Sequence, residues 1–169
     1  RPVWLPLLDS PINFRGGQRI AVDGWIVPAT ERFAWGKTQV RILEENVDLK
    51  GQAVDNLQNN AAELKDHLVS VEGLIDHEII EPTHLTLTFL SGNTSASAYV
   101  FLGTNDPPPA FKEGDFVRMK CVYSPQFDQD GNLSTLKLWA ASPADVEVIG
   151  SLQDDPRFAA PITPVTDIQ

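Results

Sequence analysis

The sequence is poor in the residues that build disulfides, metal centres and phosphate-binding surfaces. Its 169 residues include one cysteine, Cys121, so an intramolecular disulfide is impossible and no paired thiols mark a metal site. Lys and Arg number 13 against 23 Asp and Glu, which gives a formal net charge of −10 without any clustered basic patch. Because nucleic-acid binding draws mainly on clustered cations, this composition disfavours a nucleic-acid partner.

Long apolar runs and catalytic signatures are also missing. No apolar run approaches the roughly 18 residues that a membrane-spanning helix needs. The sequence contains no GxSxG, HExxH or phosphate-loop pattern, so we expect neither an enzyme nor a bound cofactor. Cys121 falls on the apolar side of a strand pattern, and we therefore expect a buried, inert thiol.

The clearest positive signal is a turn followed by a long strand at 111–125, FKEGDFVRMKCVYSP. Its apolar and polar residues alternate as in a strand with one buried face. Gly114 supplies the bend before the strand, since glycine takes positive φ without steric cost. Residues 14–28 repeat this unit, with Phe, a basic residue, Gly, apolar positions and Pro at a constant offset. The chain therefore carries the turn and strand twice.

The strand patterns from 68 to 150 predict a small barrel. Five strands are expected at 68–75, 84–90, 97–102, 111–125 and 133–139, with a short final strand at 146–149. Gly73 lies inside the first strand, as Gly24 lies inside the strand at 20–27, where it indicates a bulge or a sharp coil. This order is typical of an OB-like five-stranded barrel, so we predict an all-β fold of that class. An SH3-like barrel or a sandwich is the alternative.

Four segments are predicted along the chain. Residues 1–50 form an N-terminal β-hairpin or half-module, with strands at 20–27 and 39–45. Residues 51–66 form a polar linker in which a short helix is possible, residues 67–150 form the OB-like barrel, and residues 151–169 form an extended tail. Two interpretations of the N-terminal segment stay open: it is the second half of a preceding copy, or its hairpin joins the sheet of the complete barrel.

Candidate binding residues follow from the loops that OB-like barrels use for ligands, which lie after the first strand and between the closing strands. On this basis the predicted ligand-binding residues are Phe127, Asp128, Asp130, Asn132, Pro82 and Thr83. Trp35 is added because its loop in the N-terminal copy corresponds to the loop of Phe127. Trp25 and Trp139 fall inside predicted strands, where large aromatic side chains are expected to be buried. We predict no metal site, because an EF-hand starting at Asp128 would need a bidentate acid where Trp139 stands.

The chain also resembles a known family in three stretches: GWIVPATERFAWGKTQVRILEENV, HLVSVEGLI and FKEGDFVRMKCVYSPQFDQDGNLSTLKLWAASPADVEVIG. These are similar to OB-like modules that precede the membrane segment of bacterial two-component sensor proteins of the histidine-kinase type. The resemblance covers about residues 14–150. It implies a non-catalytic, extracytoplasmic (periplasmic) sensory or interaction module within a larger membrane-anchored signalling protein.

The partner implied by that resemblance is a small molecule, a glycan or another protein. Two other functions are compatible with an OB-like barrel. One is an oligosaccharide- or oligonucleotide-binding protein that uses the same barrel face, and the other is a structural spacer.

Overall fold

A computed structural model describes residues 17–27, 32–33, 39–45, 47–103 and 108–155, with the backbone alone at 32–33. Trp35 and the end of the predicted tail lie outside these residues. Twelve elements of regular α or β structure follow one another along the described chain. They are β1 (Arg19–Asp23), β2 (Ile26–Val27), β3 (Arg32–Phe33), β4 (Gln39–Glu44), β5 (Gln52–Val54), α1 (Ala61–Leu64), β6 (Leu68–Ile80), β7 (His84–Ser91), β8 (Thr94–Phe101), β9 (Asp115–Phe127), β10 (Leu133–Ala140) and β11 (Val146–Ser151).

Five of the strands close into a barrel. Their order around the ring is β6, β7, β8, β10 and β9, and β9 pairs with β6 to complete it. All of these ladders are antiparallel except the one between β8 and β10, which is parallel. Closure removes the exposed edges that an open five-stranded sheet would leave. The all-β, OB-like fold predicted from the strand order is therefore confirmed.

The core lies inside the ring and follows the alternation read from the sequence. In β9 the inward side chains Val117, Met119, Cys121 and Tyr123 are each at most 1% exposed. The residues between them face outward and are partly or fully exposed. The predicted turn before this strand is also present, since Gly114 has φ +86°. The strand that closes the barrel is thus built as its sequence pattern indicates.

Gly73 lets β6 serve two neighbours. The first half of β6 pairs with β9 and the second half with β7, so the strand must bend sharply near residue 74. A Cβ atom at Gly73 would lie 2.3 Å from the carbonyl oxygen of Leu90 and 2.6 Å from the ring of Phe89. Only glycine fits this close approach.

The segment at 51–66 contributes directly to the barrel. β5 pairs in parallel with residues 69–71 of β6, so this part of β6 lies between β9 and β5. The helix is a single turn that begins after Asn60, whose φ of 55° interrupts any longer helix. Leu57 and the helix residues Ala61 and Leu64 are buried in the core. The hydroxyl of Tyr123 donates a hydrogen bond to the carbonyl oxygen of Leu57 and ties this segment to the barrel.

The N-terminal strands β1 and β4 form a separate two-stranded antiparallel sheet. Within the described residues this pair is not hydrogen-bonded into the barrel sheet, so the interpretation in which the hairpin joins that sheet is not what these residues show. The pair repeats the β9–β11 ladder. The carbonyl of Gly17 accepts from the amide of Val47 at 2.7 Å, as that of Gly114 accepts from Leu152 at 2.8 Å.

A shared irregularity supports this equivalence. The register slips by one residue between positions 19 and 20 of β1, and the residue passed over on β4 is Leu43. In the β9–β11 ladder the slip falls between positions 116 and 117, and the residue passed over is Ile149. Both slips lie two residues beyond their glycine. The β1–β4 pair therefore corresponds to the β9–β11 ladder.

Candidate ligand-binding face

Three aromatic rings stack on the outer face of the barrel. Tyr99 on β8 lies directly opposite Trp139 on β10, and their ring centroids are 4.4 Å apart at an interplanar angle of 18°. Phe101 lies two residues after Tyr99 on the same face, with its centroid 6.0 Å from that of Trp139 at 17°. We call these three residues the aromatic stack. Phe101 is 46% exposed, so a ring of a ligand can continue the stack.

His84 connects the stack to the turn between β6 and β7. Its ring lies 5.8 Å from that of Tyr99 and 6.5 Å from that of Phe101. Its Nε2 is 3.4 Å from a carboxylate oxygen of Glu81, and its Nδ1 is 3.2 Å from the hydroxyl of Thr83. The carbonyl of Thr83 accepts a hydrogen bond from the amide of Leu102, which fixes the turn against the end of β8. The predicted site residues Pro82 and Thr83 therefore lie at the end of the barrel that carries the stack.

A row of polar side chains runs beside the stack across neighbouring strands. Cross-strand pairing places Thr88 beside Ser97, Ser97 beside Lys137, and Lys137 beside Ser124. All four alternate with buried residues and so face outward, two residues away from the row that contains Tyr99 and Trp139. We call Thr88, Ser97 and Ser124 the hydroxyl row, and Lys137 lies among them. Together with the stack they form one surface with flat rings on one side and hydroxyl groups on the other.

This face carries almost no charge. Lys137 is the one Lys, Arg, Asp or Glu in β7, β8 and β10 together. The charged side chains of the barrel concentrate on other strands. Arg118 on β9 donates to Glu72 on β6 at 2.8 Å and to Glu147 on β11 at 3.0 Å, and those two carboxylates raise its pKa. The barrel therefore has a charged side and a nearly neutral side, and the aromatic stack lies on the neutral one.

The predicted loop residues Phe127, Asp128, Asp130 and Asn132 lie at the other end of β10. Trp139 is six positions after Leu133, a distance of roughly 20 Å along an extended strand. Phe127 is 38% exposed at the end of β9. The structure thus divides the predicted site residues between two ends of the barrel, and their roles in binding stay predictions.

Asp128 organises the loop in which it lies. Its Oδ1 accepts hydrogen bonds from the amides of Asp130 at 3.0 Å and Asn132 at 2.8 Å. The amide of Asp128 in turn donates to the carbonyl of Asn132 at 2.9 Å. Donation from the Asn132 amide is the largest cause that lowers the pKa of the Asp128 carboxyl. This carboxylate is engaged in holding a tight turn, in agreement with the glycine turn expected around Gly131.

The expectation that Trp25 is buried is wrong, and Trp139 is only partly buried. Trp25 is 73% exposed, between β1 and β2. Trp139 lies on the outer face of β10, because its neighbours Leu138 and Ala140 point into the core. The alternation of Leu136, Leu138 and Ala140 in the sequence already indicated that position 139 faces outward. The general preference of large aromatic residues for burial obscured that signal.

Other chemistry is limited on the described part of the chain. Burial raises the pKa of the Cys121 thiol to about 12, so it is not a nucleophile at neutral pH. Across the ranges given above, no three His, Cys, Asp or Glu side chains are grouped to hold a metal ion. None of the helices described here is long and apolar enough to cross a membrane. An open groove of about 620 Å³ lies by the Gly73 bend, between apolar Phe116 and Ile149 and the carboxylates of Glu72 and Asp154.

Comparison with known proteins gives no family and no curated relative, since no match is found to either. Solved structures with partial likeness include a protein described as an aspartyl-tRNA synthetase from Leishmania major Friedlin, at 11% identity and a TM-score of 0.45. That likeness covers 64% of this chain and 22% of the synthetase, so the chain spans about a fifth of its length.

Two further structures are similar in part. One is OBody AM3L09 bound to hen egg-white lysozyme, at 13% identity and a TM-score of 0.38, covering 54% of this chain and 92% of that one. The other is a murine DNA binding protein bound with double-stranded DNA, at 12% identity and 0.39, covering 82% and 73%. Each TM-score is below 0.5, so the assignment of the barrel rests on its strand order and not on these likenesses.

Proposed function

We propose that this chain is a non-catalytic binding module that takes an oligosaccharide on the outer face of β7, β8 and β10. The observation that carries the proposal is the aromatic stack of Tyr99, Trp139 and Phe101, in which Phe101 is 46% exposed. In OB-like barrels the second and third strands, here β7 and β8, form the face that binds oligonucleotides and oligosaccharides.

The chemistry of the face favours a sugar. The electron-rich face of an aromatic ring attracts the C–H edges of a pyranose, and the apolar contact area adds to the binding. The hydroxyl row lies beside the stack, where Thr88, Ser97 and Ser124 can each donate and accept hydrogen bonds with sugar hydroxyls. A nearly neutral surface suits a ligand whose polar groups are mostly uncharged.

Single-stranded nucleic acid is the second candidate, because bases also stack on aromatic side chains. Such proteins additionally track the phosphate backbone with a positively charged groove. The face offers one cation, Lys137, in a chain of net charge −10. This imbalance favours the sugar over the nucleic acid.

A variant pair tests the proposal. Phe101→Ala removes the open ring of the stack, and Ile149→Ala removes an apolar side chain of similar exposure (46% and 43%) on β11, outside β7, β8 and β10. Titration of each protein with neutral oligosaccharides, followed by tryptophan fluorescence, measures the dissociation constant. Stacking of a nucleic-acid base on an aromatic side chain is worth about 1–3 kcal/mol, and on the same scale we expect Phe101→Ala to weaken sugar binding by roughly tenfold. Ile149→Ala should bind like the unmodified protein.

Two results contradict the proposal. Equal weakening by both variants means that the stack is not the contact surface. Absence of binding and of any thermal stabilisation across a panel of oligosaccharides favours the structural spacer instead.

We also propose that the module belongs to the extracytoplasmic, sensory part of a bacterial two-component sensor. The resemblance of residues 14–150 to such modules supports this setting, and the binding face would then receive the signal. The sequence of the complete gene tests it. A membrane span and a histidine kinase domain downstream are expected, and a gene that encodes neither contradicts this setting without affecting the binding proposal.

A further inference from the structure

Lys137 is a lone cation in the middle of the neutral face. It lies on β10 two residues before Trp139, which places their Cα atoms about 7 Å apart along the strand. On its two sides are the hydroxyl residues Ser97 on β8 and Ser124 on β9. Lys137 is partly buried.

Lys137 has no carboxylate partner among the described residues, unlike the two cations on the outer side of β9. Arg118 is paired with two glutamates, and Lys120 lies 2.8 Å from Asp145. Two carboxylates at the margins of this face contact histidines, since Glu81 lies 3.4 Å from His84 and Glu113 lies 2.8 Å from His77. A cation so placed is available to an anionic group of a ligand.

We infer that the ligand is a mostly neutral oligosaccharide with one acidic ring, in which the uronic-acid carboxylate binds the ammonium of Lys137 while a neighbouring ring packs on the aromatic stack. This inference rests on the proposed function, because it names the chemistry of the sugar bound at the same face. Ser97 and Ser124 donate hydrogen bonds to the same carboxylate from either side. A carboxylate with one ammonium and two hydroxyl donors has strong, charge-assisted partners.

The net charge of −10 does not oppose this arrangement at short range. At physiological ionic strength the Debye length is about 8 Å, so carboxylates on the far side of the barrel are screened from the ligand. The contact with Lys137 lies within that distance. The acidic chain can therefore hold an anionic sugar at one local cation.

The test compares a neutral xylo-oligosaccharide that carries one glucuronic acid with its methyl ester, which has the same rings without the charge. Each is titrated into the unmodified protein, Lys137→Gln and Lys65→Gln. The last is a control that removes an exposed lysine just after α1. We expect the unmodified protein and Lys65→Gln to bind the acid at least about tenfold more tightly than the ester. Lys137→Gln should bind both with the affinity of the ester.

The outcomes separate the two proposals. If acid and ester bind equally and Lys137→Gln changes neither affinity, the role of Lys137 is refuted and oligosaccharide binding stands. If neither sugar binds the folded protein, both proposals fail. Tighter binding of a single-stranded oligonucleotide than of the acidic oligosaccharide, with loss of that binding in Lys137→Gln, overturns the assignment to a sugar.

Discussion

The bend of β6 at Gly73 allows a stability prediction of stated size. In Gly73→Ala the new methyl group would lie 2.3 Å from the Leu90 carbonyl oxygen and 2.6 Å from the Phe89 ring, where real Cβ contacts stay beyond 3.0 Å. The first of these neighbours is backbone, so the β6–β7 ladder itself must move. The second is a fully buried core side chain that must leave its packed position. Overpacking of this kind costs about 1–3 kcal/mol and more where backbone shifts.

We therefore expect Gly73→Ala to lower the free energy of unfolding by at least about 3 kcal/mol. The matched control is Gly114→Ala, at a glycine with φ +86° and no atom within 4 Å of the added methyl group. Its cost is conformational alone, about 1–2 kcal/mol. Urea denaturation monitored by circular dichroism measures both values. Equal losses, or a loss below about 1 kcal/mol at Gly73, would refute the account of how this barrel closes.

Two further predictions concern single side chains. Cys121 is buried with a thiol pKa of about 12, so iodoacetamide should leave it unmodified at pH 8 until denaturant is added; rapid labelling of the folded protein would contradict its burial. Asp128 has a lowered pKa, so its charged form contributes stability that is present above the unfolded value near 3.8 and is lost as pH falls through the lower folded value. The unmodified protein should thus be more stable than Asp128→Asn at neutral pH, with the difference vanishing in acid. A constant difference from pH 7 to pH 2 in thermal melts would show that the carboxylate charge is not what holds the turn.

Local patterns were sufficient to predict the barrel strands. The alternation in β7, β9 and β10 reflects one buried and one exposed face, and this property survives in any sheet that encloses a core. Gly73 and Gly114 were identifiable because a glycine inside or just before a strand usually marks a bend or a close approach of two backbones. The turn around Asp128 was identifiable because Asp, Asn and Gly favour turns through their local conformations and hydrogen bonds.

Long-range pairing could not be read in the same way. β5 has only 3 residues, which is too few for a periodic signal, and it is stabilised by its parallel neighbour β6. The stack of Tyr99 on Trp139 depends on the parallel register of two strands that are far apart in sequence. Periodicity places each ring on the outer face, but the register that brings them within 4.4 Å is a tertiary property. Because the stack depends on this register, only the structure identifies the candidate face. The loop residues were predicted from the loops that OB-like barrels generally use for binding.

Chemical-shift mapping tests most directly whether ligands bind the outer face of β7, β8 and β10. Addition of an oligosaccharide that binds to ¹⁵N-labelled protein should move the amide signals of His84, Tyr99, Phe101, Lys137 and Trp139, together with the indole N–H signal of Trp139. Signals of β11 and of the groove near Glu72 should stay in place. Shifts confined to that groove, or to the loop around Asp128, would contradict binding at this face.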